Sequence, residues 1–301
     1  MSYRTLCALV FATLAVAACG DSSGGPNTGT LVVRLTDAPF PYSSVSRVDV
    51  HVVRIDAKSA TVTGAEAENL DGGGWITIAT PDRTINLLAL RGGVVTDLGA
   101  ASLATGTYRG FRMVLDVDRS SATLTNGTVL RGNATPGIKF PSAGRTGIKI
   151  DLDQPVEITR DSTILVVDFD VGRSFVLRGN DIAVNGLLFK PVLQASARDI
   201  SGSVSGTVRS DDETGPLRSG VTVELLKTGT AVDDTDASNV LRTTSTDALG
   251  AFRFGFVAPG TYALRAIAPE WWLYAPALLP NGVTLAQQQV LTGLLVVLPL
   301  R

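Results

Sequence analysis

Apolar and polar positions alternate with a period of two along much of the chain, and that spacing predicts strands. TLVVRLT at 30–36 is the first, stopped by Asp37-Ala38-Pro39 because proline lacks the N–H that a ladder requires. Residues 47–56 set Val48, Val50 and Val52 against Asp49 and His51. Residues 75–79 and 107–117 read likewise. Further strands are expected at 122–130, 147–152, 156–159, 163–170, 182–189 and 191–197. Asn126-Gly127 interrupts the first of these as a hairpin turn, since both positions tolerate positive φ. Two stretches carry helical spacing instead: 85–90, closed by Gly92-Gly93, and 97–104, each predicting a short helix. Neither is long enough to organise a fold.

A glycine-bearing polar joint at 200–203 separates this region from a second run of closely spaced strands. They fall at 204–208, 221–226, 242–246, 251–254 and 260–265, with a long loop holding Asp233, Asp234 and Asp236 between the second and third. The apolar run 290–300 is about half a membrane span and reads as a core strand. The expected fold class is all-β: two consecutive β-sandwich-like domains, at 29–200 and 203–301.

The first 28 residues follow neither pattern. Arg4 precedes an apolar run at 6–16 that is too short to remain a span, then Ala17 and Ala18, which is the layout of a cleaved secretory signal. Val16-Ala17-Ala18-Cys19 resembles the lipobox of bacterial lipoproteins. The resemblance implies that residues 1–18 are a signal peptide, that Cys19 is alkylated by a diacylglycerol and further acylated, and that it becomes the N-terminus. Residues 19–28 then form a Gly/Ser-rich flexible tether. In the enterobacterial sorting pattern an aspartate directly after the cysteine marks inner-membrane retention; Gly20 stands there, with Asp21 one place later. The expected location is the cell envelope, the outer membrane ahead of the inner.

Charge and cysteine count narrow the chemistry. The chain of 301 residues carries a net charge of −2, which loss of Arg4 with the signal lowers to −3, so no basic excess draws nucleic acid. Cys7 leaves with the signal and Cys19 is acylated, leaving a body without disulfides or thiol chemistry. Only His51 remains as a histidine, so His/Cys zinc clusters and a cysteine–histidine dyad are excluded. No cofactor is expected.

Two family resemblances enter through local motifs. GTLVVRLTDAP (29–39), NLLAL (86–90), GTYRGFRMV (106–114) and Asp168-Phe169-Asp170 are similar to the DUF4382 family of envelope proteins, which implies no activity. VSGTV (204–208), TDALGAF (246–252) and APGTYAL (258–264) resemble the carboxypeptidase regulatory-like family, a transthyretin-type sandwich. That module is an accessory beside an enzyme and carries no zinc ligands. Both halves also share a pattern, ATGTY at 104–108 and APGTY at 258–262, which reads as convergent turn chemistry.

Three carboxylate pairs have the i, i+2 spacing that puts two side chains on one strand face about 7 Å apart: Asp116/Asp118, Asp151/Asp153 and Asp168/Asp170. Such pairs can clamp a hard cation or work as acid and base on a glycan, and can equally be a solvated face. Asp168 and Asp170 are the first candidates for a metal, because the apolar run 164–167 before them predicts burial and hence a need for a partner. Trp271, Trp272 and Tyr274 are the candidate ligand-binding aromatics, either stacking on a sugar or capping the core. His51, among valines, reads as an exposed strand histidine. The sequence thus points to a lipid-anchored, non-enzymatic binding or scaffolding module whose partners are the membrane and another envelope protein or a glycan. The alternative is a glycan-binding or glycan-active envelope protein.

Overall fold

The computed structural model describes residues 27–37, 44–59, 74–141 and 146–301. Cys19, the lipobox and most of the tether lie outside them. In the first half the strands are β1 (Thr28–Asp37), β2 (Val45–Ser59), β3 (Trp75–Ala79), β4 (Arg83–Asn86), β5 (Thr96–Ala104), β6 (Gly106–Leu124) and β7 (Val129–Arg131). They continue with β8 (Ile138–Lys139), β9 (Ile148–Leu152), β10 (Val156–Ile158), β11 (Thr163–Phe169), β12 (Phe175–Leu177), β13 (Leu187–Phe189) and β14 (Leu193–Ala197). The second half adds β15 (Gly202–Ser210), β16 (Thr222–Lys227), β17 (Val240–Ser245), β18 (Ala251–Val257), β19 (Gly260–Ile267), β20 (Ala277–Leu278), β21 (Val283–Leu285) and β22 (Val290–Leu298). The chain is all-β, as the alternation predicts.

One long sheet builds the first half, in the order β3-β2-β6-β9-β14-β11-β1-β5, with β4, β7 and β10 pairing at its margins. It curls until its two ends meet: a Cβ placed on Gly99 of β5 would lie 2.9 Å from the Cβ of Ala79 in β3. Inside the curl, Leu31, Val33 and Leu35 of β1 and Leu165, Val167 and Phe169 of β11 face the core, set side by side by the parallel β1–β11 register. A three-stranded sheet, β12-β13-β8, closes one end, with Phe140, Phe169, Phe175 and Phe189 stacked there at 4.7 to 6.5 Å between centroids. The second half is a sandwich of two sheets, β18-β15-β22 and β17-β16-β19-β20, around a separate core that includes Val204, Val223, Leu225, Leu264 and Val296.

Several local expectations change. Residues 97–104 are strand β5, because pairing with β1 overrides a short helical spacing. Ile182–Asn185 is one helical turn capped by Asp181, whose carboxylate accepts from the amides of Ala183 and Val184. Only Leu187–Phe189 of that expected strand is extended. Residues 87–93 form a 3-10 helix. The Asn126-Gly127 turn is present, but Gly127 alone has positive φ, at +87°, while the Asn126 side chain accepts from the Thr128 amide. The repeated ATGTY/APGTY pattern has one physical cause at both sites. Each tyrosine hydroxyl donates to the carbonyl four residues earlier, Tyr108 to Ala104 at 3.2 Å and Tyr262 to Ala258 at 2.7 Å, pinning the corner that feeds a strand.

Candidate functional site: the interdomain joint

Alternation along β11 turns Leu165, Val167 and Phe169 inward and therefore Val166 and Asp168 outward. The outer face would ordinarily meet water, yet Val166, Ser196 of β14 and Thr36 of β1 are all buried there. Phe256 of the second domain meets Ser196 there, while Thr36 donates to the carbonyls of Leu90 and Val94. The second domain's β17 is the edge strand of a sheet, and Arg242 and Thr244, opposite Leu225 and Val223 in register, sit where the sandwich opens toward the first domain.

Arg242 is the centre of the contact. Its guanidinium, 5% exposed, donates from Nη1 to Asp168 Oδ2 at 3.0 Å and from Nη2 to Asp153 Oδ2 at 2.8 Å. Around it, Arg173 donates to the carbonyls of Val240 and Ala237 at 2.9 and 3.0 Å, Ser196 Oγ donates to the Phe256 carbonyl at 2.6 Å, and Gln288 donates to the Asp199 carbonyl at 2.7 Å. Phe256 holds a φ of +54°, a conformation that costs a bulky residue energy and persists where surroundings over-determine it. It sits at a β-bulge, where Gly202 and Val204 of β15 pair with Val257 and Phe254.

The three predicted pairs separate. Asp168, one residue before the end of β11, binds Arg242, whereas Asp170 caps the short helix α1 (Val171–Ser174) by accepting from the Arg173 amide at 2.9 Å. Asp151 reaches only Lys149, at 3.3 Å on the surface, while Asp153 turns into the joint. Between Asp116 and Ser121 β6 bulges away from β2, whose His51 and Asp49 are their partners. There Asp116 accepts from the Asp118 and Arg119 amides and from Arg119 Nε at 2.7 Å, and the Arg119 guanidinium holds its carboxyl below the usual range. Among the described residues no three His, Cys, Asp or Glu side chains converge to hold a metal ion.

His51 corrects the expectation of exposure: it is buried, with Nδ1 2.9 Å from Thr84 Oγ1 and Nε2 3.0 Å from Asp82 Oδ1. Hydroxyl, imidazole and carboxylate stand here in the order of a hydrolytic triad. A triad carboxylate, however, must be buried to hold the imidazole, and Asp82 is 64% exposed and shared with Arg119. The array ties β4 to β2 instead.

The aromatic cluster also divides. Trp271 and Trp272 are about two-thirds exposed, their rings 83° apart, so they offer no common platform for a sugar ring to stack on. Tyr274 is buried in the second core beneath the Arg218 guanidinium, 4.8 Å from its ring. The acidic loop is folded by its own chemistry: Arg265 donates to the carbonyls of Val232 and Asp234, and Asp236 caps Ala237–Asn239. Arg242 was not singled out from the sequence. The available signal was an arginine on the buried phase of a strand, in VLRTTS, where a charge needs a partner.

Comparison with known proteins places both halves. The family model described as domain of unknown function DUF4382 matches residues 28–191, more than half of the chain. Residues 201–291 match a model described as the second β-sandwich domain of the NOMO1-like subunit of the BOS complex. That is a different family name from the one its motifs suggest, on the same β-sandwich architecture. No curated protein sequence matches. Among solved structures, the TIE protein of Bacillus anthracis aligns at 10% identity over 91% of this chain, with a TM-score of 0.24. A streptococcal ancillary pilin aligns at 14% over 91%, TM-score 0.24, and the minor pilin GBS52 of Streptococcus agalactiae at 12% over 91%, TM-score 0.26. The alignments take in 34%, 63% and 96% of those chains, so this chain spans about a third and under two thirds of the first two.

Proposed function

We propose a function from one fixed point: the chain belongs to the DUF4382 family, whose description assigns no activity. On our reading it is a lipid-anchored, non-enzymatic module of the bacterial cell envelope. Cys19 carries the anchor and the outer membrane is its destination. The body binds or scaffolds another envelope component through exposed loops and sheet edges.

The observation that carries the non-enzymatic reading is how the carboxylates are used. A glycan hydrolase needs one carboxyl holding a proton and a second free to attack or to activate water. Here Asp153 and Asp168, which the fold brings together, accept from the same guanidinium. Arg242 stands between them and engages an oxygen of each. Asp116, the next candidate, is capped by Arg119. Among the described residues no helix is long and apolar enough to cross a membrane. The lipobox resemblance at Val16–Cys19 supports the anchor.

Two experiments test the reading. Replacing Cys19 with serine is expected to move the protein from the membrane pellet to the soluble envelope fraction; continued sedimentation would sink the anchor. Photo-crosslinkers at Leu249 and Trp271, both prominent on the second domain, are expected to capture an envelope protein in intact cells. Release of reducing sugar from envelope glycans by the purified chain, lost on Asp168→Asn, would establish the enzymatic alternative in its place.

A further inference from the structure

The joint holds buried acid that its cations do not satisfy. Asp37 at the end of β1 and Asp170 at the start of α1 are each 5% exposed, and the charge of Asp168 acts on both. The charged groups facing this cluster come from every element around it: Arg242 of β17 with Asp153, Arg173 of α1, Arg91 of the 3-10 helix and Arg253 of β18. Arg242 is engaged by Asp153 and Asp168. Arg173 stands 4.0 Å from Asp170 and spends its donors on the Val240 and Ala237 carbonyls. In consequence Asp37 Oδ2, Asp168 Oδ1 and Asp170 Oδ2 are buried without a hydrogen-bond partner. The Thr243 hydroxyl approaches Asp170 from the second domain, yet its oxygen is unpartnered too.

An ionised carboxylate left in that state is costly, whereas a protonated one needs fewer donors and supplies one. We propose that the two domains are clamped by a carboxylic acid: Asp170 docks in the protonated form, its carboxyl meeting the Thr243 hydroxyl across the joint. Ionising it releases the second domain from the first. The electrostatics agree with the geometry. Burial, reinforced by Asp168, pushes Asp170 up to about 7, outweighing the hydrogen bond from the Arg173 amide, the Arg173 charge and the Thr243 hydroxyl, which all favour the ionised form. Burial and then Asp168 raise Asp37 well above its usual value, against the hydrogen bond from the Val171 amide. Burial raises Asp168 as well, with Arg242 pulling the other way.

Linkage sets the sign. Docking takes up a proton wherever the docked carboxyl is protonated and the undocked one, in water near 4, is not. For Asp170 the docking constant therefore falls by up to tenfold per pH unit from about 4 to about 7, and levels off above. This device is independent of the anchor and of the partner.

The test is small-angle scattering on the full chain carrying Cys19→Ser, from pH 5 to pH 8. The expected result is a radius of gyration that grows with pH, and an Asp170→Asn variant that stays compact at pH 8, because the amide mimics the protonated acid. A wild-type radius that is constant across the range, or an Asp170→Asn variant that opens with the wild-type profile, overturns the proposal. Should the variant fail to fold, carboxyl carbon NMR on the wild type decides. A buried aspartate titrating near 7 supports the clamp, and aspartates that all titrate below about 5 refute it.

Discussion

Arg242→Ala removes the cation that serves two carboxylates of the joint at once. Both contacts are short, 2.8 and 3.0 Å, and the Asp153 and Asp168 side chains are 20% and 18% exposed, so the remaining charges keep little water. Breaking a buried pair from one side costs about 3–5 kcal/mol, the lower end applying where some solvent remains. The molecule has an escape, however: it can undock and hydrate both acids, so the loss is capped by the free energy of docking itself. About 3 kcal/mol is a fall of roughly 100-fold in the docking constant. Scanning calorimetry at pH 6 is expected to show one transition for the wild type and two for the variant, one for each core, and amide exchange is expected to rise at Val166 and Ser196. Adding Asp153→Asn and Asp168→Asn to Arg242→Ala should restore much of the coupling, because no unpaired charge is left. A single transition within about 0.5 kcal/mol of wild type for Arg242→Ala alone would refute the claim that this ion triad holds the joint.

Other outcomes follow from single contacts. Gly29→Ala would place a Cβ 1.7 Å from the Thr159 carbonyl oxygen, and backbone cannot yield as a side chain does. It is expected to cost about 3 kcal/mol by urea denaturation, against about 1 kcal/mol for Gly220→Ala, where φ is +69° but nothing lies within 4 Å. Tyr274→Ala should cost about 3–5 kcal/mol by cavity formation, whereas Trp271→Ala and Trp272→Ala should each stay within about 0.5 kcal/mol. For the pH dependence of stability, Asp170 has a folded value raised from 3.8 to about 7. Its contribution is complete below about 4 and is lost as pH rises to 7, with an upper bound of roughly 4 kcal/mol. Chemical denaturation of Asp170→Asn is expected to lack this decline; a variant that declines in parallel with wild type would place the titration elsewhere.

Period-two alternation determined the all-β class and most of the strands, because burial of one face is a local pattern that each strand carries for itself. The shared ATGTY and APGTY turns were legible for the same reason, while the tyrosine hydrogen bond to the carbonyl four residues earlier came only with the structure. Short segments such as 97–104 were not, since one or two turns of helical spacing cannot be told from an edge strand until a partner supplies its ladder. The carboxylate pairs show the limit most directly. Spacing placed Asp168 and Asp170 together, but a strand end and a helix cap sent their side chains to different partners. Asp153 and Asp168 meet only through Arg242, 89 and 74 residues away. No local rule connects positions so far apart; the docking of one domain on the outer face of the other does. By itself the sequence determined that strands form, that the carboxyl at 168 needs a counter-charge, and that Cys19 has the setting of a lipid anchor. Which cation answers that carboxyl, and how many buried acids surround it, only the tertiary structure decided, because burial and long-range pairing arise when the two cores pack together.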